Sequence, residues 1–245
     1  MNYSRAPILE SIIELRFKHV LDAASVEAFD SILSAQFDAL ERLYAADFEF
    51  SVNQEGFESS QKQRLDGFKF KMSNQFVGML VKDRLVVSHQ APYTTWDAFA
   101  EPMAMVWAIA ANHFKLSQLT RIGVRTINEL VIPYDDPVNS EVNLDKYVKI
   151  IPRIPNQESA KMVGFNSQVA LTHPGLGASS TVTLSSGRSD KEWVRLLLDI
   201  DAFMPVDNSL IENLSELDSS LNALRQLKND LFESAITEQT KELIK

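Results

Sequence analysis

The chain has 245 residues, of which 45% are apolar and 23% charged, with a formal net charge of −9 and no cysteine. That composition fits a soluble globular protein with a sizeable core, and it excludes disulfides, thiolate metal sites and a cysteine nucleophile. The acidic balance argues against generic binding to a nucleic-acid backbone, because such affinity comes from clustered Lys and Arg.

The N-terminus, MNYSRAPILESIIELRF, has polar and charged residues where a secretory signal would be apolar. The longest apolar run elsewhere, around Met103 to Ala111, is too short for a membrane span. With seven Met and no Cys, the expected location is the cytoplasm, away from membranes.

From Ile8 to Val20, Ile13, Leu15 and Phe17 alternate with Glu14, Arg16 and Lys18, which predicts a first strand. Ser25 is a candidate N-cap for a helix with Phe29, Ile32, Leu33, Phe37, Leu40 and Leu43 on its apolar face, ending near Ala46. Alternation then predicts strands at Phe48 to Ser51 and Phe68 to Lys71, with a polar loop from Asn53 to Asp66 between them. Phe76 to Val81 and Leu85 to Ser88 read as a hairpin. A second helix begins at Thr94 or Thr95, and Pro102 implies either a kink or a true start near Glu101.

Leu119 to Ile132 reads as a long strand. A short helix is expected from Leu144 to Ile150, and Pro152 and Pro155 punctuate a linker. Strands follow at Met162 to Leu171 and Ser179 to Leu184, around the turn segment His173 to Gly177, and then at Glu192 to Phe203. From Asn208 to Lys245 a long helix is expected, with Leu210, Leu214, Leu217, Leu221, Leu224, Leu231 and Ala235 stepping by fours and threes and Lys228 interrupting the seam. Such a stripe must lie on its own sheet or on another chain.

The expected fold is therefore α+β. It has mainly antiparallel sheet with helices on one face, in two β-α-β-β-β-α-like halves, 1–118 and 119–245, joined as one compact unit.

Four residues stand out as a candidate ligand-binding set. Arg121 and Arg125 fall on one face of the long strand, where they could form a fork for a carboxylate or phosphate. Asp199 and Asp201 also share a face, and pairing with those arginines across strands is their simpler use. As a carboxylate pair they could hold a divalent cation or do acid–base work, but no further ligand sits nearby in sequence. His19, His89, His113 and His173 are scattered without zinc-site spacing. Gly175 and Gly177 form a lone GxG, which fits a hairpin turn better than a dinucleotide fingerprint. No catalytic, metal or cofactor site is expected.

Lys62, Arg64, Lys69, Lys71, Lys82 and Arg84 cluster with Phe68, Phe70 and Phe76 interleaved, the pattern of a single-stranded nucleic-acid binder. Period two assigns those phenylalanines to the core instead.

Four segments carry a family likeness: YSRAPILESIIELRF (Tyr3–Phe17), RIGVRTIN (Arg121–Asn128), LLLDIDAF (Leu196–Phe203) and LKNDLFESAITEQTKELI (Leu227–Ile244). The chain resembles, over essentially its whole length, a sporadically distributed group of uncharacterised bacterial and archaeal proteins of about this size. The resemblance implies an accessory protein, and patchy occurrence implies mobile or defence-related genes. It supplies no catalytic residues. The functional expectation is a non-enzymatic protein acting through protein–protein contact, as a homodimer whose seam runs along the stripe from Leu210 to Leu231. The alternatives are a small anionic-ligand binder or enzyme using Arg121 and Arg125, and a single-stranded nucleic-acid binder.

Overall fold

A computed structural model describes residues 3–18, 23–37, 39–53, 56–73, 75–81, 83–114, 119–139, 141–153, 155, 162–206 and 214–245. Among these residues nine strands, all antiparallel to their neighbours, form one sheet in an α+β fold. In chain order they are β1 (Ile8–Phe17), β2 (Ala39–Asn53), β3 (Gly56–Lys71), β4 (Phe76–Val81), β5 (Arg84–Gln90), β6 (Leu119–Pro133), β7 (Asn166–His173), β8 (Ala178–Ser186) and β9 (Trp193–Pro205). The helices are α1 (Ala23–Ser34), α2 (Trp96–Phe114), α3 (Leu214–Ala235) and α4 (Glu238–Ile244). The strand order is β2-β3-β4-β5-β1-β6-β9-β8-β7. The strands that open the chain and its second stretch, β1 and β6, are thus neighbours, and hairpin-linked strands run outward from each.

Alternation decides which face of the sheet is covered. On β6 the even residues from Ile122 to Ile132 are buried, while Arg121, Arg125, Ile127, Glu129 and Val131 are at least partly exposed. The buried face packs under the helices. Phe29 and Leu33 of α1, Phe99 and Met103 of α2, and Leu221 and Leu224 of α3 join one apolar cluster with Ile13, Phe68 and Val124. A second cluster gathers Leu130, Ile132, Leu196 and Leu198 under Tyr147, Ile236 and Ile244. Glycine serves this packing where β4 crosses Phe70. A Cβ on Gly78 would lie 2.1 Å from the ring of Phe70, its cross-strand partner on β3, so the bare backbone is what lets that ring lie flat in the core.

Several sequence expectations need correction. The helix expected to reach Ala46 stops at Ser34, and Leu40 and Leu43 belong to β2. Their i, i+3 spacing reads as helical, and a fifteen-residue ladder with β3 overrides it. The expected loop from Asn53 to Asp66 is mostly β3, whose polar residues pair with β2. Before Gly67, β3 has no pairing with β4, so there β2 and β3 extend as a two-stranded ribbon. Helix α2 passes through Pro102 and does not start at Glu101; Thr95 caps it by accepting from Ala98 N at 3.2 Å. The helix expected at Leu144 to Ile150 is a single 3-10 turn, Leu144–Lys146. The strand expected from Met162 begins at Asn166. Element order also departs from the expected halves. Four strands follow α1, whereas among the described residues only the 3-10 turn lies between β6 and β7.

The closing helix is two helices. Ile236 leaves the α3 spiral to form a β-bridge with Val148, and Thr237 N donates to Tyr147 O at 3.0 Å. Thr237 then caps α4, its Oγ1 accepting from Thr240 N. The stripe expected as a seam for a second chain is spent on the chain's own core: Leu217, Leu221 and Leu224 are buried there, and Leu231 packs against both clusters. Leu210 lies outside the described residues, as does the placement of the Leu214 side chain.

Candidate functional site

The face of the sheet opposite the helices carries the four residues singled out from sequence. Strand pairing aligns them in rows. Ser88, Ile12, Arg125, Asp201 and Thr181 stand in one register across β5, β1, β6, β9 and β8. Beside it, Glu10, Ile127, Asp199, Thr183 and Gln168 form the next row. Asp199 and Asp201 lie within their strand, because β9 stays paired with β6 through Pro205.

All four residues belong to one ion-pair ladder. Arg125 meets Asp199 with two bonds, Nε to Oδ1 at 2.8 Å and Nη2 to Oδ2 at 2.5 Å. Arg121 Nη2 donates to Asp201 Oδ2 at 2.8 Å, while its Nη1 donates to Glu14 on β1. The Arg121 guanidinium also sits 4.3 Å from the centre of the Phe203 ring. Glu14 gathers two further arginines. Arg16 Nε donates to it at 2.7 Å, and Arg84 Nη1 approaches it at 3.7 Å from β5. Farther along, Arg195 joins Glu129 at 2.9 Å and Asp190 at 3.3 Å.

This pairing sets the electrostatics. The hydrogen bond to Asp199 holds the Arg125 guanidinium above its ordinary pKa, and the bond to Glu14 does the same for Arg16. Burial pushes the Asp201 carboxyl up, against the opposing pull of Arg121 and Arg125. Between the rows lies a shallow basin of about 220 Å³ lined by Arg125, Gln168, Thr181, Thr183, Asp199 and Asp201. It offers hydroxyls, an amide and more carboxylate than guanidinium. An incoming acid would have to displace Asp199 from Arg125, so the arginine fork expected from sequence is already occupied.

Sequence reasoning missed Glu14, the hub of the ladder, and Gly123, over which Arg121 lies. The alternation of Glu14 with Ile13 and Leu15 marked it as facing away from the core, but only strand pairing sets it beside Arg121. Between the ion pairs the helix-free face carries aliphatic and aromatic side chains that are neither fully buried nor fully exposed, among them Ile12, Met79, Val86, Ile127, Leu197 and Phe203.

Polar groups also lie on the covered face. His89, Ser11 and Thr126 stand side by side on β5, β1 and β6. His89 is 0% exposed, stacks on Phe76 at 4.3 Å, and has neither ring nitrogen hydrogen-bonded among the described residues. Burial lowers its pKa. Lys228, on the buried side of α3, has its pKa lowered to about 8 by burial and then by Arg225. The other described histidines have packing roles: His113 lies against Phe29, and His173 is held to Ser180 at 2.8 Å.

Of the basic cluster, Arg84 is engaged by Asp83 and Glu14, and Lys62 and Lys82 have no described side chain. Phe68 and Phe70 are 0% and 1% exposed, which removes them as stacking platforms for bases. Among the described residues, no three His, Asp or Glu side chains gather as metal ligands, and no helix is long and apolar enough to cross a membrane. Compared with known protein-family models and with curated proteins, the chain finds no match.

Proposed function

We propose that this is an accessory protein that acts through contact with another protein, and that its working surface is the helix-free face of the sheet. The observation that carries this reading is the saturation of the ladder. Arg121, Arg125, Asp199 and Asp201 neutralise one another, and half-exposed Ile127, Leu197 and Phe203 lie among them. Apolar patches framed by polar groups, rich in Arg and aromatics, suit a protein partner better than a reacting substrate. The closing helix, with its stripe engaged at Leu217, Leu221 and Leu224, is a poorer candidate surface. The resemblance to a sporadically distributed family supports an accessory, regulatory or defence-linked setting in the cytoplasm. The strand order, running outward from paired β1 and β6, supports reading the chain as two related halves, 1–118 and 119–245, that share this face.

Affinity capture with the full chain, identification of the partner and reconstitution with that purified partner test the reading. Ile127→Asp and Leu197→Asp should each weaken binding at least about tenfold, as loss of a central contact does. Asp218→Lys, on the exposed side of α3, should not. Binding that is indifferent to both face variants overturns the proposal.

The basin favours a second reading, a small-ligand binder. Its two carboxylates and one guanidinium suit a hydroxylated or cationic molecule rather than an acid. Thermal-shift screens of sugars, amines and organic acids against wild type and an Arg121→Gln/Arg125→Gln variant separate the cases. Stabilisation by acids that the variant loses restores the anion-fork idea, and stabilisation by none of the three classes removes ligand binding here.

A further inference from the structure

We infer that β7 is a self-pairing edge: two copies of the chain join their sheets by antiparallel pairing of β7 about a two-fold axis midway between Ala170 and its copy. This contact is separate from the partner surface proposed above. The argument begins with what an open sheet edge needs. A terminal strand presents a row of unpaired N–H and C=O groups, and proteins guard it with charge, proline, a bulge or a cover.

Among the described residues the sheet ends at β2 and β7, and these two edges differ. The sequence of β2 carries Glu41, Arg42, Asp47 and Glu49, and its register with β3 shifts between Leu43 and Tyr44. Strand β7, NSQVALTH, has no Asp, Glu, Lys, Arg or Pro, and it pairs with β8 in unbroken register over all eight residues. Helix α3 covers β6, β9 and part of β8. On the same side of β7, Val169 and Leu171 remain 38% and 39% exposed. Leu176, in the turn that follows, and Met162, just before the strand, are each 52% exposed. The edge is therefore regular, uncharged and greasy.

Its own sequence is the complement. In an antiparallel pair, opposed side chains share a face, so a two-fold normal to the sheet must lie midway between one residue and its own copy. Centred on Ala170, the smallest side chain of the strand meets its own copy. Val169 then faces the partner's Leu171 and Leu171 faces the partner's Val169, four aliphatic groups on the side where both are exposed. On the opposite face Gln168 meets the partner's Thr172, an amide against a hydroxyl. Centring on Val169 would instead set Leu171 against the partner's Ser167. The Ala170 register pairs like with like on both faces, and a symmetric contact needs no other molecule. It also brings the two helix-free faces onto one side of a continuous sheet.

The absence of cysteine from the chain makes the register directly testable. Sedimentation velocity of the full protein across micromolar concentrations should show a monomer–dimer equilibrium. Val169→Lys/Leu171→Lys opposes like charges in the dimer and should weaken association more than about tenfold. Both positions are exposed, and an unchanged melting temperature confirms the fold. Under mild oxidation Ala170→Cys should form a disulfide-linked dimer, since opposed strand residues lie about 4.5–5.5 Å apart between α-carbons. Gln168→Cys and Thr172→Cys should cross-link only when combined. A monomer at all concentrations overturns the inference. So does a dimer that survives the double lysine variant, or one in which Ala170→Cys fails to cross-link.

Discussion

The guanidinium of Arg121 lies across Gly123, two residues farther along the same strand. A Cβ at Gly123 would stand 2.8 Å from Nη1 and 3.3 Å from Cζ. Gly123 is itself flanked by Glu14 and Phe203 on the neighbouring strands, the two groups that hold this guanidinium along with Asp201. The missing side chain is thus the floor of the arginine's seat. Gly123→Ala should release Arg121 and cost about 1–2 kcal/mol, the range for losing charged hydrogen bonds, less the ~0.5–1 kcal/mol that alanine returns in backbone entropy. Urea unfolding measures it. In an Arg121→Gln background the same change should be neutral or stabilising, and an equal loss in both backgrounds would disprove the seat.

Arg125 and Asp199 form the better-aligned pair in the more exposed place, with the arginine side chain 44% accessible. Solvent competes for both charges, so a double-mutant cycle with Arg125→Gln and Asp199→Asn should return less than about 1 kcal/mol of coupling. Added salt should erode it further. Arg121, 18% exposed, should retain its coupling to Glu14 under the same salt.

Lys228 illustrates the cost of a charge on the buried side of a helix. Its pKa is lowered to about 8, below the ordinary value of 10.5. A depressed folded pKa means that the stability available above 10.5 is lost as pH falls through 8. At pH 7 the charged lysine is therefore a burden. Lys228→Met should raise stability there by about 1–3 kcal/mol, and the gain should shrink towards pH 10. Chemical denaturation of both proteins at the two pH values checks the sign.

His89 works in the same direction at lower pH. Burial lowers its pKa from 6.5, so its neutral ring suits the folded state and the unfolded chain takes up the proton first. The contribution of His89 to stability should be flat above about pH 6.5 and fall as pH drops below it, ahead of the carboxylates. His89→Phe, stacked in the same place on Phe76, should remove that early fall. Parallel acid melts that coincide in shape would count against it.

Much of this was legible beforehand, for a physical reason. Strands with one covered face announce themselves by period two, and β1 did so cleanly, with Ile13, Leu15 and Phe17 set against Glu14, Arg16 and Lys18. The same alternation put Arg121 with Arg125 and Asp199 with Asp201, and opposite charge on neighbouring strands made their pairing foreseeable. The misses share a cause as well. Leu40 and Leu43 in β2, and the polar run of β3, are held as strands by each other rather than by their own pattern. Glu14 and Gly123 gain their roles from a neighbour more than 100 residues away in one case and from the lie of a long side chain in the other. The break at Ile236 was hidden because its bridge partner, Val148, is remote in sequence.

The central position of β1 governs the order in which the molecule can assemble. Its far flank waits for β6, and the link from Glu14 to Arg121 spans 107 residues. A nascent chain leaving the ribosome can zip β1 onto β5 early, yet it must hold the other flank bare until that distant segment emerges. Closing so long a loop is entropically slow, and contacts of this span dominate folding time. The seam at the middle of the sheet therefore closes only after the whole β2-to-β5 arm on its other side has been made.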